Sequence, residues 1–381
     1  MTLLLTIVFC LLLALGYGLL MLAYKTGWTQ QKEFILPVDH IPHTRISIII
    51  PARNEAQNIG TCIESILAQQ YPPSLFELIV VDDYSEDSTA KIVERYTDKN
   101  VKCLKLADIL PAKQINSYKK AALTAGINAS TGELIVTTDA DCIAPDYWLA
   151  NLAAMYERDS PPMIVAPVTY SAKRNILPIF QLIDFMSMQG ITAAAHKLNL
   201  GNMCNGANLA FSKSAFEFVG GYEDISHLAS GDDYLLMMKI NRAYPGRIAY
   251  LKSEQAIVAT APQLTWKSFL HQRIRWASKS GKYNDNRLTA ILILVYLFNV
   301  ALFGLSIAGF FTPLYWVIAS TMLVIKIAAE YLFVRPVAKF FSSEWVMGYF
   351  ILLQPLHVLY IVLAGFLGFF GKYEWKGRRV R

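Results

Sequence analysis

Three acidic pairs stand out by residue type and setting. Asp139-Ala140-Asp141 follows directly on an apolar, β-branched run, so two carboxylates are set down at the end of a strand. Their oxygens suit a hard divalent ion whose other ligands are diphosphate and water. Magnesium and manganese fit such a site because they neutralise a diphosphate leaving group. Asp82-Asp83 ends an earlier run of the same kind, followed by Ser85, Glu86, Asp87 and Ser88. One of that pair is placed to accept hydrogen bonds from a nucleobase imide or a ribose hydroxyl, although Glu86, Asp87 and Ser88 also fit a helix-capping cluster. In Ser230-Gly231-Asp232-Asp233 the carboxylates open a helix, whose N-terminus favours their ionised form. An ionised carboxylate beside an acceptor hydroxyl is a general base; capping is the simpler alternative. Taken singly, aspartates at a loop start are commonly turn formers.

Further along, Gln272-Arg273-Ile274-Arg275-Trp276 precedes a long apolar stretch. Arg275 can clamp a phosphate bidentately and Trp276 offers a flat face to a sugar or acyl chain. The same residues also describe an interfacial helix with a snorkelling arginine and an interface tryptophan. Lys326 and Glu330 lie four apart inside an apolar segment, where they can pair on one helical face, with Arg335 near enough for Glu330 to snorkel towards it. The apolar stretch from Ile176 to Leu200 reads either as a core helix or as one lying on a membrane and guiding a lipid.

The elements that must position these residues follow from periodicity. Ile46 to Ile50, Leu78 to Val81 and Leu134 to Thr137 are continuous apolar or β-branched runs, the mark of parallel strands buried on both faces. Each ends in a polar cluster, and ligands of doubly wound sheets bind beyond the carboxyl ends of strands, so the clusters predict one shared site. Helices are expected from Asn58 to Gln69, from Glu86 to Tyr96 with Ser85 as N-cap, and from Lys119 to Ala129. The alternation makes residues from about Arg45 to Gly281 an α/β layer domain.

The flanks are different. Of 381 residues 54% are hydrophobic and 17% charged, too apolar for two soluble domains. No charge occurs from Thr2 to Tyr24, long enough to cross roughly 30 Å of hydrocarbon. The absence of a basic n-region favours a retained anchor over a signal peptide, and Lys25 and Lys32 place its far end in the cytoplasm. Leu288 to Ile325 is also uncharged and broken by Thr312-Pro313, which predicts a hairpin whose second helix runs to about Val334. Trp345 to Gly371, interrupted by Gln354-Pro355, reads as a kinked span or a re-entrant pair. A single span would put Lys372, Lys376, Arg378, Arg379 and Arg381 outside, against the positive-inside rule, and so a cytoplasmic tail is the expectation. A net charge of +6 without long basic runs excludes a nucleic-acid binder. Five scattered cysteines without C-x-x-C exclude a disulfide framework and a structural zinc site.

Taken together, the motifs resemble a known family. Ser47 to Glu55, Val80 to Ser88, Asp139-Ala140-Asp141, Asn205 to Phe211, Gly220-Gly221-Tyr222, Asp232-Asp233 and Gln272 to Trp276 occur in the order found in family 2 glycosyltransferases. The chain is similar to the membrane-integrated members, such as cellulose, hyaluronan and poly-N-acetylglucosamine synthases and ceramide glucosyltransferases. The resemblance covers about Ile46 to Gly281. It implies a GT-A fold, a nucleotide-diphosphate sugar donor, expected to be UDP-linked, and inversion at the anomeric carbon. Carried over, Arg53, Glu55, Asp82, Asp83 and Asn208 would bind the donor, with Lys119 or Lys120 and Asp139 beside them. Asp141, with Asp139, would hold manganese or magnesium, and Asp233, with Asp232 as the alternative, would be the base. Gln272, Arg275 and Trp276 match the Q-x-x-R-W motif assigned to the diphosphate and acceptor path. Asp232 stands where most relatives have Glu, and Ser117-Tyr118 precede Lys119 where Gly-Lys is usual.

The expected architecture is an N-terminal anchor (1–25), a cytoplasmic GT-A domain (45–281), a C-terminal transmembrane region (288–371) and a basic tail (372–381). The expected function is a metal-dependent transfer of sugar to a membrane-delivered lipid or lipid-linked acceptor of the cell envelope. The alternatives are a processive polysaccharide synthase and, more remotely, a non-catalytic partner of a synthase. The intact D-x-D, Asp233 and Q-x-x-R-W argue against the last.

Overall fold

The computed structural model describes residues 2–111, 117–171, 174–201, 203–225, 231–278, 285–369, 373–375 and 378–380. Ser230 and the tail residues Lys372, Lys376 and Arg381 lie outside this set. In chain order the helices are α1 (Thr2–Gln30), α2 (Ile59–Leu67), α3 (Thr89–Glu94), α4 (Leu106–Ile109), α5 (Tyr118–Asn128), α6 (Trp148–Asp159), α7 (Ile176–Leu198), α8 (Lys213–Phe218), α9 (Asp232–Ala243), α10 (Trp266–Ala277), α11 (Asn286–Ala308), α12 (Leu314–Phe340) and α13 (Met347–Phe369). The strands are β1 (Ile46–Ala52), β2 (Phe76–Asp82), β3 (Val101–Lys105), β4 (Leu134–Thr137), β5 (Met163–Val165), β6 (Val168–Tyr170), β7 (Leu209–Ser212), β8 (Ala249–Tyr250), β9 (Val258–Thr260), β10 (Tyr373–Trp375) and β11 (Arg378–Val380). The chain divides into an α/β unit, residues 32–171 and 202–261, and a helical unit, residues 1–31, 172–201 and 262–381.

The α/β unit is built on a sheet of order β3-β2-β1-β4-β7-β5-β8. Its centre is where the sequence is most apolar: Ile48, Ile49 and Ile50 of β1 are wholly buried between parallel neighbours β2 and β4. Register sets Ala52 opposite Asp82, and Ile49 opposite Thr137, so the loops after β1, β2 and β4 leave the sheet at one edge. Strand β7 runs antiparallel to β4, pairing Leu209 with Thr137, so its amino end arrives at that same edge. Helix α5 lies close on the sheet at Gly126, where a Cβ would meet Ile49 at 2.6 Å. Helix α3 starts at Thr89, three residues later than expected, because the preceding residues are drawn into tertiary bonds: Ser85 Oγ accepts from the Asn54 N–H rather than capping the helix.

At the opposite end of the strands, Glu77 of β2 ties four segments together. One carboxylate oxygen accepts from Ser47 Oγ at 2.7 Å and from the Thr131 N–H at 2.6 Å, the other from Lys102 Nζ at 2.6 Å. Burial pushes this carboxyl up, but the bonds from Lys102, Thr131 and Ser47 outweigh it and bring its pKa to about 2.

In the helical unit α1, α7, α11, α12 and α13 are each long and apolar enough to cross a membrane. Helix α7 is mostly buried among its neighbours, as a core helix is. Helix α1 packs through aromatic side chains, Tyr17 stacking on Phe298 at 4.3 Å and Trp28 meeting Phe340 edge-on at 5.3 Å. One expectation changes here, and one alternative is decided. Helix α12 continues through Pro336 to Phe340 instead of stopping near Val334, and α13 is one continuous helix through Pro355, not a re-entrant pair. Apolar spans tolerate an interior proline because neighbouring helices and local adjustment re-satisfy the freed backbone groups. Glu330 turns not towards Arg335 but inward, to Tyr17, Lys326 and Gln354.

The depressed carboxyl of Glu77 stabilises the fold above its ordinary range and stops doing so as protons compete. Glu77→Gln is expected to lower stability near neutral pH by on the order of 1–3 kcal/mol. Wild type should lose this increment as pH falls from about 4.5 towards 2, with the variant flat across that window. Unfolding of the detergent-solubilised chain at a series of pH values checks both; parallel curves would refute the assignment.

Candidate active site

The edge where β1, β2 and β4 end is held by two turns with left-handed residues, Asn54 at φ +52° and Tyr84 at φ +55°. Asparagine tolerates this conformation, but a tyrosine there is an outlier whose strain the surroundings must hold, at a cost of roughly 1–3 kcal/mol. They do so by cross-bracing. The Tyr84 hydroxyl donates to the Leu110 carbonyl, and its ring meets Tyr118 edge-on. Arg53 donates to the carbonyls of Asp83 at 3.0 Å and Tyr84 at 2.9 Å and pairs with Glu86, while Asn54 Oδ1 accepts from the Glu86 N–H. Asp87 accepts from the N–H groups of Ala56 and Thr89. Within this frame Asp82 and Asp83 are buried, and Asp82 Oδ1 has no hydrogen-bond partner among the described residues. A buried acceptor in that state fits a ligand N–H or O–H.

Past β4, Asp139 meets the ammonium of Lys119, which reaches across from α5. Lys119 Nζ stands 2.7 Å from Asp139 Oδ1 and 3.7 Å from Asp232 Oδ2. Burial works against its charge, but Asp139 and Asp232, then Asp233, more than restore it and hold the ammonium protonated well above the ordinary range. Asp141 shows the opposite balance: burial, then the charges of Asp139 and Glu55, raise its carboxyl to about 6, partly opposed by the Thr260 hydroxyl. The pair sits in a surplus of negative charge that a cation relieves. Among the described residues no group of three or more His, Cys, Asp or Glu is assembled to hold a metal alone. Two carboxylates fit an ion that completes its shell with diphosphate and water.

Gly231 makes the turn into α9 at φ +81°, a conformation glycine adopts without steric penalty, and so sets Asp232 and Asp233 at the helix start. Asp232 is buried on the Lys119 side. Asp233 is half-buried, one oxygen accepting from the Gly206 N–H at 3.1 Å and the other from the Tyr234 N–H at 2.8 Å. Lys119, Thr137, Thr138, Tyr222, Asp232 and Asp233 line a single cleft.

Glu55, Asp82, Asp83, Lys119, Asp139, Asp141, Asp232 and Asp233 therefore share one edge of the α/β unit. Three other candidates have different work. Asn208, expected at the donor, is wholly buried, its amide donating to the carbonyls of Pro167 and Ala256 and accepting from Trp148 Nε1. It is a structural bracket with both amide protons engaged. Lys120 is enclosed, its ammonium on the Ile225 carbonyl, so Lys119 is the lysine of the cleft. Arg53 braces the turn after β2. Gln272, Arg275 and Trp276 lie on α10, in the helical unit. Sequence reasoning missed Tyr84, whose only signal was a bulky residue in a turn, and Thr260, which nothing local marks. It also missed Cys62, whose thiol donates to the Asp139 carbonyl and is pushed up to about 12 by burial and the nearby aspartates, too high for a nucleophile.

Residues 47–220 match the family model described as glycosyl transferase family 2, and residues 134–368 match that of glycosyl transferase family group 2. Glycosyltransferase AglE of Haloferax volcanii is 28% identical over 188 residues, 49% of this chain and 58% of that protein. A poly-beta-1,6-N-acetyl-D-glucosamine synthase of Staphylococcus epidermidis is 25% identical over 253 residues, 65% of this chain and 57% of that protein. The matched region thus spans a little over half the length of these relatives. Among solved structures, the mannosyltransferase PcManGT of Pyrobaculum calidifontis, in complex with GDP-Man and Mn2+, superposes with a TM-score of 0.57 over 95% of this chain and 98% of that one. At 19% identity the likeness shows a shared GT-A fold.

Lys119→Met leaves Asp139 and Asp232 without their shared counter-charge. The variant is expected to lose on the order of 1–3 kcal/mol of stability and to regain more of it on adding manganese than wild type gains. Thermal scans with and without the ion measure this; equal manganese responses would count against Asp139 as part of a cation site.

Proposed function

The chain belongs to glycosyltransferase family 2, and we propose that it is an inverting, metal-dependent enzyme moving a sugar from a UDP-linked donor to a membrane-delivered acceptor. That acceptor is a lipid or lipid-linked glycan of the cell envelope. The observation that carries this reading is the gathering of Asp139, Asp232 and Asp233 around Lys119 at the sheet edge where β1, β2 and β4 end. The assigned catalytic domain, residues 45–281, faces the cytoplasm, a reading supported by Lys25 and Lys32 after the apolar part of α1.

Asp82 and Asp83, with Glu55, take the nucleoside, the free acceptor oxygen of Asp82 receiving an imide or hydroxyl proton. Asp141 and Asp139 would hold manganese or magnesium, which when bound neutralises charge on the departing diphosphate. Lys119 adds a second positive charge on the same side. Asp233 accepts the proton of the acceptor hydroxyl as that oxygen attacks the anomeric carbon in line with the leaving group. Its two oxygens are oriented by backbone N–H donors, and its partial exposure leaves it open to the cleft. Asp232, buried against Lys119, is suited to a supporting electrostatic role. Gln272, Arg275 and Trp276 act on diphosphate and acceptor. Five long apolar helices support delivery of the acceptor from the bilayer.

The deciding experiment measures nucleoside diphosphate release from a panel of nucleotide sugars by the purified chain, with manganese or magnesium against EDTA. Asp233→Asn is expected to keep UDP binding within about twofold and to lose transfer by a factor of about 10³ or more. Asp141→Ala should instead lose manganese-dependent UDP binding. Full activity in Asp233→Asn would refute the base assignment, and a high-polymer product would replace the lipid acceptor with a growing polysaccharide.

A further inference from the structure

Within the helical unit five polar side chains form a hydrogen-bonded series, and an Asp184–Arg273 pair stands beyond its end. Tyr17 of α1 donates its hydroxyl proton to Glu330 of α12. Glu330 also accepts from Lys326 Nζ at 2.5 Å and from Gln354 Nε2 of α13 at 2.7 Å. Lys326, wholly buried, donates further to Gln354 Oε1 at 2.8 Å and to His357 Nδ1 at 3.1 Å. An ammonium can only donate, so Nδ1 is the acceptor and the ring proton sits on Nε2. That nitrogen stands 3.9 Å from Asp184 Oδ1 of α7. Asp184 Oδ2 then receives Arg273 of α10 through Nε at 2.9 Å and Nη2 at 2.7 Å.

The Asp184–Arg273 pair ends on the motif helix. Arg273 lies over the ring of Trp276 at 4.2 Å and over Phe269 at 4.8 Å, and its Nη1 donates to Gln272 Oε1 at 3.1 Å. A planar guanidinium held through two nitrogens by a carboxylate has its plane fixed, and so are the groups that stack on it. Buried ion pairs are weak contributors to stability compared with apolar residues of like volume, and ionisable groups within apolar helices cost several kcal/mol each. The buried Asp184–Arg273 pair therefore calls for a role other than holding helices together.

We propose that Asp184 and Arg273 are positioning residues for sugar transfer. Arg273 sets the Trp276 ring and the Gln272 amide, and Asp184 fixes Arg273, so that α7 dictates the geometry presented by α10. The inference rests on the reading that Gln272 and Trp276 serve transfer, and adds residues that contact neither donor nor acceptor.

The test uses the full chain in detergent, with manganese-dependent UDP binding and transfer kinetics measured on Asp184→Asn, Arg273→Lys, Trp276→Ala and the doubles with Trp276→Ala. Asp184→Asn and Arg273→Lys should lower kcat about tenfold to a hundredfold while UDP affinity and donor KM stay within about twofold. Each double should fall well short of the product of the two single effects, because the Trp276 ring is already lost and only the share carried through Gln272 remains. Multiplying effects, or wild-type kcat in Asp184→Asn and Arg273→Lys, would overturn the proposal. Should Asp184→Asn fail to fold, Arg273→Lys retains the charge and decides alone. If Trp276→Ala itself transfers normally, the motif reading fails and the inference with it. A slow Trp276→Ala beside a normal Arg273→Lys isolates failure to the inference.

Discussion

Crowded negative charge at one sheet edge is the constraint around which the α/β unit is arranged. Strand register alone brings Asp82, Asp139 and their neighbours together, and α9 adds two more carboxylates. At the few ångströms involved, like charges repel by several kcal/mol even at an intermediate dielectric. The protein meets this in two ways: an ammonium from α5 between Asp139 and Asp232, and backbone N–H donors on Asp233. Neither removes the surplus. A site that stays short of positive charge is prepared for a cation and for a donor whose phosphates bring cations with them.

The helical unit solves a related problem with a different outcome. There Lys326 and Glu330 meet each other and Gln354 at hydrogen-bond distance, and Asp184 meets Arg273. The carboxylate edge is left with a surplus of one sign, whereas these charges are matched. One arrangement invites ligands; the other holds shape.

How much of this could be read from residues alone depends on whether the cause was local. Strands β1, β2 and β4 were legible because burial on both faces leaves continuous apolar runs, and the acids follow at their ends. The start of α3 was not, because Ser85 and Asp87 bond across to the β1 loop and not to their own helix. Asn208 looked like a ligand amide because nothing in sequence separates an amide facing a cleft from one bonded to two distant carbonyls. Gln354-Pro355 left a kinked span and a re-entrant pair both open, because packing decides whether a helix continues through a proline. The pairing of Asp184 with Arg273 joins residues 89 apart and had no local signature.

The reversed direction of β7 has a consequence for how the edge is supplied. Carboxyl ends of parallel strands deliver side chains on the loops that follow them. A strand running the other way delivers the loop that precedes it, here residues 205–208, with Gly206 turning its N–H to Asp233. Had β7 joined in parallel, the segment beginning Lys213-Ser214 would have stood at this edge in place of residues 205–208. One change of strand direction thus makes the rim two-sided, with acids contributed by chain that is leaving the sheet and an oriented dipole by chain that is entering it. Lengthening the loop after β4 would move Asp139 and Asp141, and lengthening the one before β7 would move only the dipole that meets Asp233.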